Sequence, residues 1–545
     1  MTLAARGDAD AEDRAGRGPA LRLAQGLRGT GGWRRFVLAL LFGALSATAF
    51  APYGALPVLL IAFPGLALLL EGTSGGRKPL RSAFLTGWAF GFGACALGMY
   101  WIGFAFLVQA EQFAWMIPIL VPGLMAYLAI YSGLAALIAV RAWRGPWGRS
   151  AGARVLTLAA AFALGEFLRG WILTGFPWNL LAQSTLAWLP LAQSASLVGP
   201  YGLSLIVALL ALLPAAALSG GRRWPWLALA CGIGAMALFG WVRLQPLSPS
   251  QPQAQLVIVQ PNVPQRDKLD PSKREANLQR TLDMTAEAAA AVADDVPTYA
   301  VWPENTFPHL GEIPGVGQGL AERFPADTIL VTGSVRVYGE AEAASFGNAV
   351  QVFGETEGGE KPLLATYDKH HLVPFGEYLP LSGLFEALGL ASMSPVGAGG
   401  FTPGAGPEVL SVGPAPFAPL VCYEGIFPGA LYPDGERPDW LVTVTNDAWF
   451  GDNVGPRQHL AIARLRSIES GLPMARSANT GISALIGPRG RVLESLPLYE
   501  AGTLTAWLPA PAPPTLYDRW GEAGFAIMLL LVVVSPWVTG LARRE

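Results

Sequence analysis

The chain has 545 residues, of which 52% are hydrophobic and 14% are charged. Soluble globular domains carry roughly a quarter of charged residues, so this depletion excludes an ordinary soluble protein and indicates a chain partly embedded in a membrane. The net charge of -2 and the confinement of basic residues to short loops argue against a nucleic-acid partner.

The N-terminal stretch 1–35 contains seven arginines and is predicted to be a disordered cytoplasmic arm. Seven apolar segments follow within 36–244, and an eighth lies within 521–545. A membrane-spanning helix needs about 20 apolar residues, and most of these segments approach that length. The sequence therefore predicts a polytopic α-helical membrane domain with eight transmembrane helices, over 36–50, 56–71, 83–107, 114–140, 155–172, 192–219, 224–243 and 523–541.

The charges of the loops predict the orientation of these helices. Lysine and arginine accumulate in alternate loops and at both ends of the chain, and the intervening loops carry few of them. Because cytoplasmic loops are enriched in basic residues, both termini are predicted to be cytoplasmic. With eight spans, residues 245–520 then lie outside the cytoplasm.

One loop on the predicted outer side is unusual. Glu166 and Arg169 lie close to the segment Gly175-Phe-Pro-Trp178-Asn179. Aromatic residues at this level commonly anchor a helix in the membrane interface. Charged residues near hydrocarbon are costly unless they are paired or functional, so a loop lining a lipid access path is the alternative.

A proline-rich linker begins at Gln245, and the composition then changes. Short apolar runs typical of strands alternate with helix-like stretches at about 272–293 and 456–471, which indicates a layered α/β domain over 245–520. The strand-like runs are 255–259, 299–302, 328–332, 349–353, 364–367, 418–422, 440–445 and 482–486.

Three polar groups follow strand-like runs in this domain: Glu304, Lys369 and Cys422. The other two cysteines, Cys95 and Cys231, lie in apolar segments, so Cys422 has no disulfide partner here. It is either a buried small hydrophobe or a nucleophile. As a nucleophile it needs a base, for which Glu304 is a candidate, and a cation such as Lys369 that favours the thiolate and an oxyanion.

The order of these motifs resembles the nitrilase (carbon–nitrogen hydrolase) superfamily, an αββα sandwich with a Glu-Lys-Cys triad. The motifs are Trp302-Pro-Glu304, Lys369 ahead of Pro374-Phe-Gly-Glu377, and Cys422-Tyr423-Glu424. The segment 445–451, Thr-Asn-Asp-Ala-Trp-Phe-Gly, is similar to one membrane branch, the apolipoprotein N-acyltransferases. That branch carries seven helices before the nitrilase-like domain and one after it.

The resemblance implies a role for each matching residue. Glu304 is the expected base, Lys369 the oxyanion stabiliser and Cys422 the acylated nucleophile. The expected supporting or substrate-binding residues are Asn348, Glu377, Tyr423, Glu424 and Trp449. The four histidines lack metal-ligand spacing, and neither a metal nor a cofactor is expected.

The resemblance also implies a reaction and its partners. A phospholipid, typically phosphatidylethanolamine, donates an acyl chain to the cysteine, and a diacylglyceryl-cysteine lipoprotein accepts it on its α-amine. The expected location is the bacterial inner membrane, with a periplasmic catalytic domain and a monomeric chain. Two alternatives are a membrane-tethered amidase of the nitrilase type and a non-enzymatic membrane scaffold.

Overall fold

The computed structural model describes residues 18–220, 223–246, 253–292, 295–338, 345–380 and 400–541. The described residues fall into two compact units. The helical unit comprises those within Met1–Gly103, Phe113–Arg243 and Glu522–Glu545, and the sheet unit comprises those within Phe104–Gln112 and Leu244–Gly521.

The helical unit is built from nine α-helices of eight or more residues among the described residues. They are α1 (Pro19–Gly29), α2 (Gly32–Ala47), α3 (Leu59–Glu71), α4 (Pro79–Gly98), α5 (Ile117–Ala142), α6 (Ala151–Arg169), α7 (Ala195–Gly220), α8 (Trp224–Arg243) and, after the sheet unit, α12 (Ala523–Leu541). Shorter helical turns lie at Leu181–Ser184 and Leu189–Ala192.

Each of the eight apolar segments contains a helix, but fewer are long enough to cross a membrane. Within the described part of the chain, four helices reach the necessary length and apolar character: Ala110–Ala142, α6, α7 and α8. A fifth span results if α4 and the turn Tyr100–Leu107, bent by 48° from each other, count as one. The apolar helices Leu56–Glu71 and Ala523–Ser535, the latter being the first part of α12, are shorter, so the total of eight spans stays a prediction.

The prediction of a disordered arm over 1–35 is wrong where the structure describes it. Residues 1–17 lie outside the described residues, whereas Pro19–Gly29 forms α1. The Arg28 Nε donates to Glu71 Oε2 at 2.6 Å, and Arg28 Nη2 donates to Ser219 Oγ at 2.6 Å. Arg28, which was predicted to belong to a disordered arm, therefore attaches α1 to Glu71 and Ser219.

The sheet unit contains two mixed sheets. The first has the strand order β11-β1-β2-β3-β4-β5 and the second the order β10-β9-β8-β7-β6. The strands are β1 (Gln255–Gln260), β2 (Thr298–Val301), β3 (Thr328–Tyr338), β4 (Ser345–Phe353), β5 (Leu363–Asp368), β6 (Phe417–Val421), β7 (Trp440–Thr445), β8 (Met474–Ala478), β9 (Ala484–Ile486), β10 (Val492–Ser495) and β11 (Gly502–Trp507).

Strand alternation assigns the two faces of the first sheet. Leu256 and Ile258 of β1 belong to a core cluster that also contains Phe417 and Val442 of the second sheet. The intervening Val257 of β1 belongs to another cluster, shared with the helices α9 (Arg274–Ala290) and α10 (Val316–Arg323). Successive side chains of a strand point to opposite faces, so one face of this sheet shares a core with the second sheet and the other with helices.

The second sheet also packs against a helix. Ala418 of β6 and Leu441 of β7 share a core cluster with Ala463 of α11 (Val454–Ser470). Three strands were not predicted from the sequence: β8, β10 and β11. The β8 sequence Met-Ala-Arg-Ser-Ala is polar at its centre, and it is nonetheless fully buried.

Candidate active site

Three predicted site residues follow strand ends of the sheet unit. Glu304 comes shortly after β2, Lys369 directly follows β5, and Cys422 directly follows β6. β5 runs in the same direction as β2, because β3 is parallel to β2 and two antiparallel pairings separate β3 from β5. The ends of β2 and β5 therefore lie at the same edge of their sheet.

An amide and an ammonium connect two carboxylates at this edge. Lys369 Nζ lies 2.8 Å from Glu377 Oε1 and 4.0 Å from Glu304 Oε1. Asn348 Nδ2 donates to Glu304 Oε1 at 2.7 Å and to Glu377 Oε1 at 2.8 Å. All four side chains are buried. The structure thus brings together four residues that the sequence placed in the site.

Cys422 has an unusual backbone conformation. It begins the helical turn Cys422–Ile426 with a φ of +50°, in the left-handed region that non-glycine residues rarely adopt. The charges of Glu304 and Lys369 both act on its thiol. Such strain is common at active sites, where the surrounding structure enforces it.

The charges of the site determine which groups carry protons. Burial raises the pKa of the Cys422 thiol, and the Glu304 carboxylate raises it further against the opposing charge of Lys369. Burial also raises the pKa of Glu304, although the Lys369 ammonium opposes this. Burial would lower the pKa of Lys369, but Glu377 and Glu304 outweigh it and raise that pKa. The resting site therefore holds a neutral thiol beside an ammonium and a carboxyl group suited to accept a proton.

Glu424 joins the loop that follows β5 to the turn that carries Cys422. Its Oε1 accepts hydrogen bonds from the backbone N–H groups of His370 at 2.8 Å and His371 at 3.2 Å. Its Oε2 accepts the N–H of Val421 at 2.7 Å. Burial would raise the pKa of Glu424, but His370, the Val421 N–H and Lys369 together outweigh burial and lower it. The Glu424 carboxylate therefore holds the loop that follows β5 next to the turn that carries Cys422.

Lys268 is a site neighbour that the sequence did not indicate. Its Nζ donates to the backbone oxygen of Glu304 at 2.9 Å. Burial lowers the pKa of Lys268 to about 8, against the opposing effect of the Glu304 charge. In the sequence it lies in a charged stretch, Arg266-Asp-Lys268, typical of a solvated loop.

A second buried network lies behind Cys422. Asp447 Oδ1 lies 2.9 Å from His459 Nδ1, and Asp447 Oδ2 accepts from Arg476 Nη2 at 2.8 Å. Thr445 Oγ1 donates to Asp447 Oδ1 at 3.1 Å, and Thr445 is among the groups that lower the pKa of the Cys422 thiol. Burial lowers the pKa of His459, and the Cys422 backbone is among the groups that oppose this. The network therefore acts on the surroundings of the cysteine.

The sequence offered only a partial signal for this network. Asp447 lies two residues after the end of β7, as a carboxylate near a strand end. Arg476 lies inside β8, and no pattern in the sequence predicted a strand there.

Two predicted supporting residues remain apart from the charged cluster. The Tyr423 ring is buried and contacts the rings of His371 and Phe427, with centroids 5.7 and 5.1 Å away. Trp449 is 38% exposed at the end of the turn Asp447–Trp449. Among the described residues, no hydrogen bond or ring contact joins Trp449 to Glu304, Lys369 or Cys422.

The chain is similar to known proteins over both units. Residues 42–213 match the family of apolipoprotein N-acyltransferase N-terminal domains, and residues 256–511 match the carbon-nitrogen hydrolase family. An apolipoprotein N-acyltransferase of Rhodopseudomonas palustris is 41% identical over 95% of this chain and 97% of its own length. One from Bradyrhizobium diazoefficiens is 42% identical with the same coverage. The crystal structure of an amidase from Nesterenkonia sp. is 20% identical, with a TM-score of 0.33, and covers 52% of this chain and 99% of that chain.

These matches confirm the resemblance identified from the sequence motifs. The relatives share more than a third of their residues with this chain over nearly its entire length. The described apolar helices agree with a membrane protein. The chain belongs to the apolipoprotein N-acyltransferase family.

Proposed function

We propose that the protein transfers a fatty acyl chain from a phospholipid, typically phosphatidylethanolamine, to the α-amine of a diacylglyceryl-cysteine lipoprotein. This is the last step of bacterial lipoprotein maturation. The observation that carries the proposal is the buried pair of Glu304 and Lys369, whose charges act on the thiol of the half-buried Cys422, in a chain whose full-length relatives are named for this activity.

In the first half-reaction Glu304 accepts the proton of the Cys422 thiol, and the thiolate attacks the ester carbonyl of the phospholipid. The Lys369 ammonium stabilises the resulting oxyanion. The ester bond then breaks, Glu304 returns the proton to the leaving alkoxide, and a lysophospholipid departs. The acyl chain remains on Cys422 as a thioester.

In the second half-reaction the α-amine of the acceptor attacks the thioester. Glu304 accepts a proton from the amine and returns it to the Cys422 thiolate as the carbon–sulfur bond breaks. An amide forms and the free thiol is regenerated, so the scheme is ping-pong. The neutral resting thiol fits this scheme, because the thiol needs a base before it can attack.

In this scheme the membrane helices keep the enzyme where its two lipid-anchored substrates are. Each substrate is anchored by acyl chains, whose removal from a bilayer costs about 0.8 kcal/mol per CH₂ group. A thioester is also susceptible to water, and an apolar pocket limits its hydrolysis. An enzyme that stays in the membrane avoids the extraction cost and keeps the intermediate dry.

We further propose the topology that the sequence predicts. Residues 36–244 form seven transmembrane helices and 521–545 an eighth, both termini are cytoplasmic, and 245–520 form a periplasmic αββα sandwich on the inner membrane. Support comes from the sheet packing, in which the two sheets share one core and each also packs against helices. The chain is proposed to act as a monomer.

Transfer to a synthetic acceptor tests the proposal. The purified full chain is incubated with phosphatidylethanolamine and a diacylglyceryl-cysteine peptide, and N-acylation is measured by mass spectrometry. We expect an amide-linked acyl group with the wild type and none with Glu304→Gln. Glu436→Gln, on an exposed loop, is the control and should retain full activity. Absence of transfer, together with ammonia release from simple amides, would favour the amidase alternative.

A further inference from the structure

A lysine outside the predicted triad contacts the backbone of the predicted base. Lys268 Nζ donates to the Glu304 carbonyl oxygen at 2.9 Å, across 36 residues of chain. The lysine side chain is only partly exposed, and a charged group withdrawn from water needs a partner. The acyl-transfer steps proposed above give this lysine no role.

Lys268 contacts the backbone of Glu304 and leaves its carboxylate to other partners. Asn348 Nδ2 donates to Glu304 Oε1 at 2.7 Å. In the part of the chain that the structure describes, no ion pair within 4.0 Å joins Lys268 to that carboxylate, although the charge of each residue acts on the other. The lysine therefore favours the ionised form of the base without occupying the oxygen atoms that receive the thiol proton.

The segment that carries the lysine is attached to the sheets at a second point. It forms the short helix Gln265–Leu269, and Gln265 Oε1 accepts a hydrogen bond from Asn446 Nδ2 at 2.7 Å. Asn479 Nδ2 donates to Asn446 Oδ1 at 3.0 Å, and Asn479 Oδ1 accepts the backbone N–H of Val263 at 3.0 Å. These two asparagines directly follow β7 and β8. The ends of both strands therefore fix the position of the lysine independently of its contact with the base.

The turn that carries Glu304 thus has two constraints. Strand β3 approaches it at Gly333, whose carbonyl oxygen accepts the N–H of Thr306 at 3.1 Å, and Lys268 attaches the carbonyl of Glu304 itself. Because misplacement of a reacting group by about 1 Å can cost a hundredfold in rate, such attachment matters for proton transfer. We propose that Lys268 is a positioning residue for the base, whose ammonium fixes the Glu304 backbone so that the carboxylate keeps the geometry that proton transfer from Cys422 requires.

The surroundings of Lys268 make this role dependent on pH. Burial lowers its pKa to about 8, and the Glu304 charge opposes this, so the ammonium is lost as the pH rises through 8. The pKa values of Lys369 and Cys422 are raised above their usual 10.5 and 9.0, so both groups keep their protons in this range. Asp267, the neighbouring acid, is paired with another lysine. Glu304 gains a proton only as the pH falls. We therefore expect Cys422 acylation to decline on the alkaline side near pH 8.

The inference rests on the proposed roles of Glu304 and Cys422 but not on a phospholipid as the acyl donor. The full chain is therefore acylated with p-nitrophenyl butyrate in single turnover, and the butyryl increment on Cys422 is followed by mass spectrometry. In this step the thiol proton passes to Glu304, the carbon–sulfur bond forms and nitrophenolate departs. A parallel sample with phosphatidylethanolamine reports separately on the proposed function.

Substitutions of Lys268 give the decisive comparison. Lys268→Met should lower the saturating rate of acylation about tenfold and leave the half-saturating ester concentration nearly unchanged, because it misplaces the base without altering substrate contacts. Lys268→Arg keeps a charged donor and should retain most of the rate at pH 7. Lys273→Met is the matched control, since its exposed ion pair with Asp267 contributes little, and it should react as the wild type does.

The pH profile separates positioning from a merely structural role. Between pH 7 and pH 9 the wild-type rate should fall relative to Lys268→Arg by up to about tenfold, the change in the ammonium fraction of a group with a pKa near 8. This comparison needs no variant that removes the cation. Parallel profiles of these two proteins, an unchanged rate in a folded Lys268→Met, or a higher half-saturating concentration at constant saturating rate would each overturn the inference.

Discussion

The surroundings of Cys422 and Lys369 raise the pKa of both groups, so the thiol and the ammonium both hold their protons in the resting site. Burial and the Glu304 charge raise the thiol pKa, and the Lys369 charge opposes them more than any other group does. Lys369 itself keeps its proton because two carboxylates surround it. The nucleophile is therefore held neutral until its proton has an acceptor, and the cation limits how far its pKa rises.

Alkylation of Cys422 by iodoacetamide measures this balance. Because the thiol pKa lies above its usual value near 9, alkylation should be slow at neutral pH and should accelerate as the pH rises past 9. Lys369→Met removes a charge that favours the thiolate, so it should slow alkylation about tenfold at a given pH, the effect of one pKa unit. Faster alkylation in the variant, with thermal unfolding showing an intact fold, would contradict this account.

His459 acts on the nucleophile through the network behind it. The residue is buried between Asp447 and Arg476, and the Cys422 backbone is among the groups that act on its imidazole. His459→Gln should lower the rate of Cys422 acylation about tenfold while leaving the phospholipid KM nearly unchanged, because it misplaces a reacting atom without altering substrate contacts. His309→Gln, on a half-exposed histidine, is the control. A rise in KM at constant kcat would argue against a positioning role.

Strand β3 shapes the site by lacking a side chain at one position. A Cβ at Gly333 would lie 2.5 Å from Glu304 Cα and 2.7 Å from the Pro303 carbonyl oxygen. Both are backbone atoms and cannot move aside as a flexible side chain could. Only glycine therefore allows the turn that carries Glu304 to approach this strand so closely.

Gly333→Ala should accordingly displace Glu304. We expect a loss of Cys422 acylation of at least tenfold and a destabilisation of about 1–3 kcal/mol, typical of overpacking, measured by acylation kinetics and thermal unfolding. The matched control is Gly319→Ala in α10, where nothing lies within 4 Å of the added Cβ. That change should leave acylation intact and stabilise the helix slightly. Wild-type acylation in Gly333→Ala would refute the role assigned to β3.

Elements with regular apolar patterns could be predicted from the sequence, and those governed by distant contacts could not. Strand β7 was predicted with its observed bounds, Trp440–Thr445, because all six of its residues suit a buried strand. Strand β8 was missed because Arg476 and Ser477 make it polar. Its burial depends on the ion pair between Arg476 and Asp447, which lies in the segment that follows β7. Helix α1 was missed for a similar reason, since Glu71 anchors it from far along the chain.

The candidate site shows the same division. The sequence indicated Glu304, Lys369 and Cys422 because each polar group follows an apolar run. It could not indicate Lys268, whose buried contact with the Glu304 backbone arises only when the chain folds. The resemblance named Asn348 as a supporting residue without giving its contacts. The structure shows that its amide donates hydrogen bonds to the carboxylates of Glu304 and Glu377.

For the whole molecule, the proposed orientation is open to direct measurement. In a background with Cys95, Cys231 and Cys422 replaced by alanine, a cysteine is introduced either at the exposed Ser272 or after the C-terminal Glu545. A membrane-impermeant maleimide added to intact spheroplasts should label Ser272→Cys and leave the C-terminal cysteine unlabelled until the membrane is permeabilised. Labelling in the reverse pattern would contradict the proposed topology.

The central claim is that Cys422 carries an acyl chain taken from a phospholipid. Intact-protein mass spectrometry after incubation with phosphatidylethanolamine tests it most directly, with wild type and Cys422→Ala compared. The account predicts a fatty-acyl mass increment on the wild type only, removed by hydroxylamine as a thioester should be. A folded wild type that gains no mass, or an equal increment on Cys422→Ala, would contradict it.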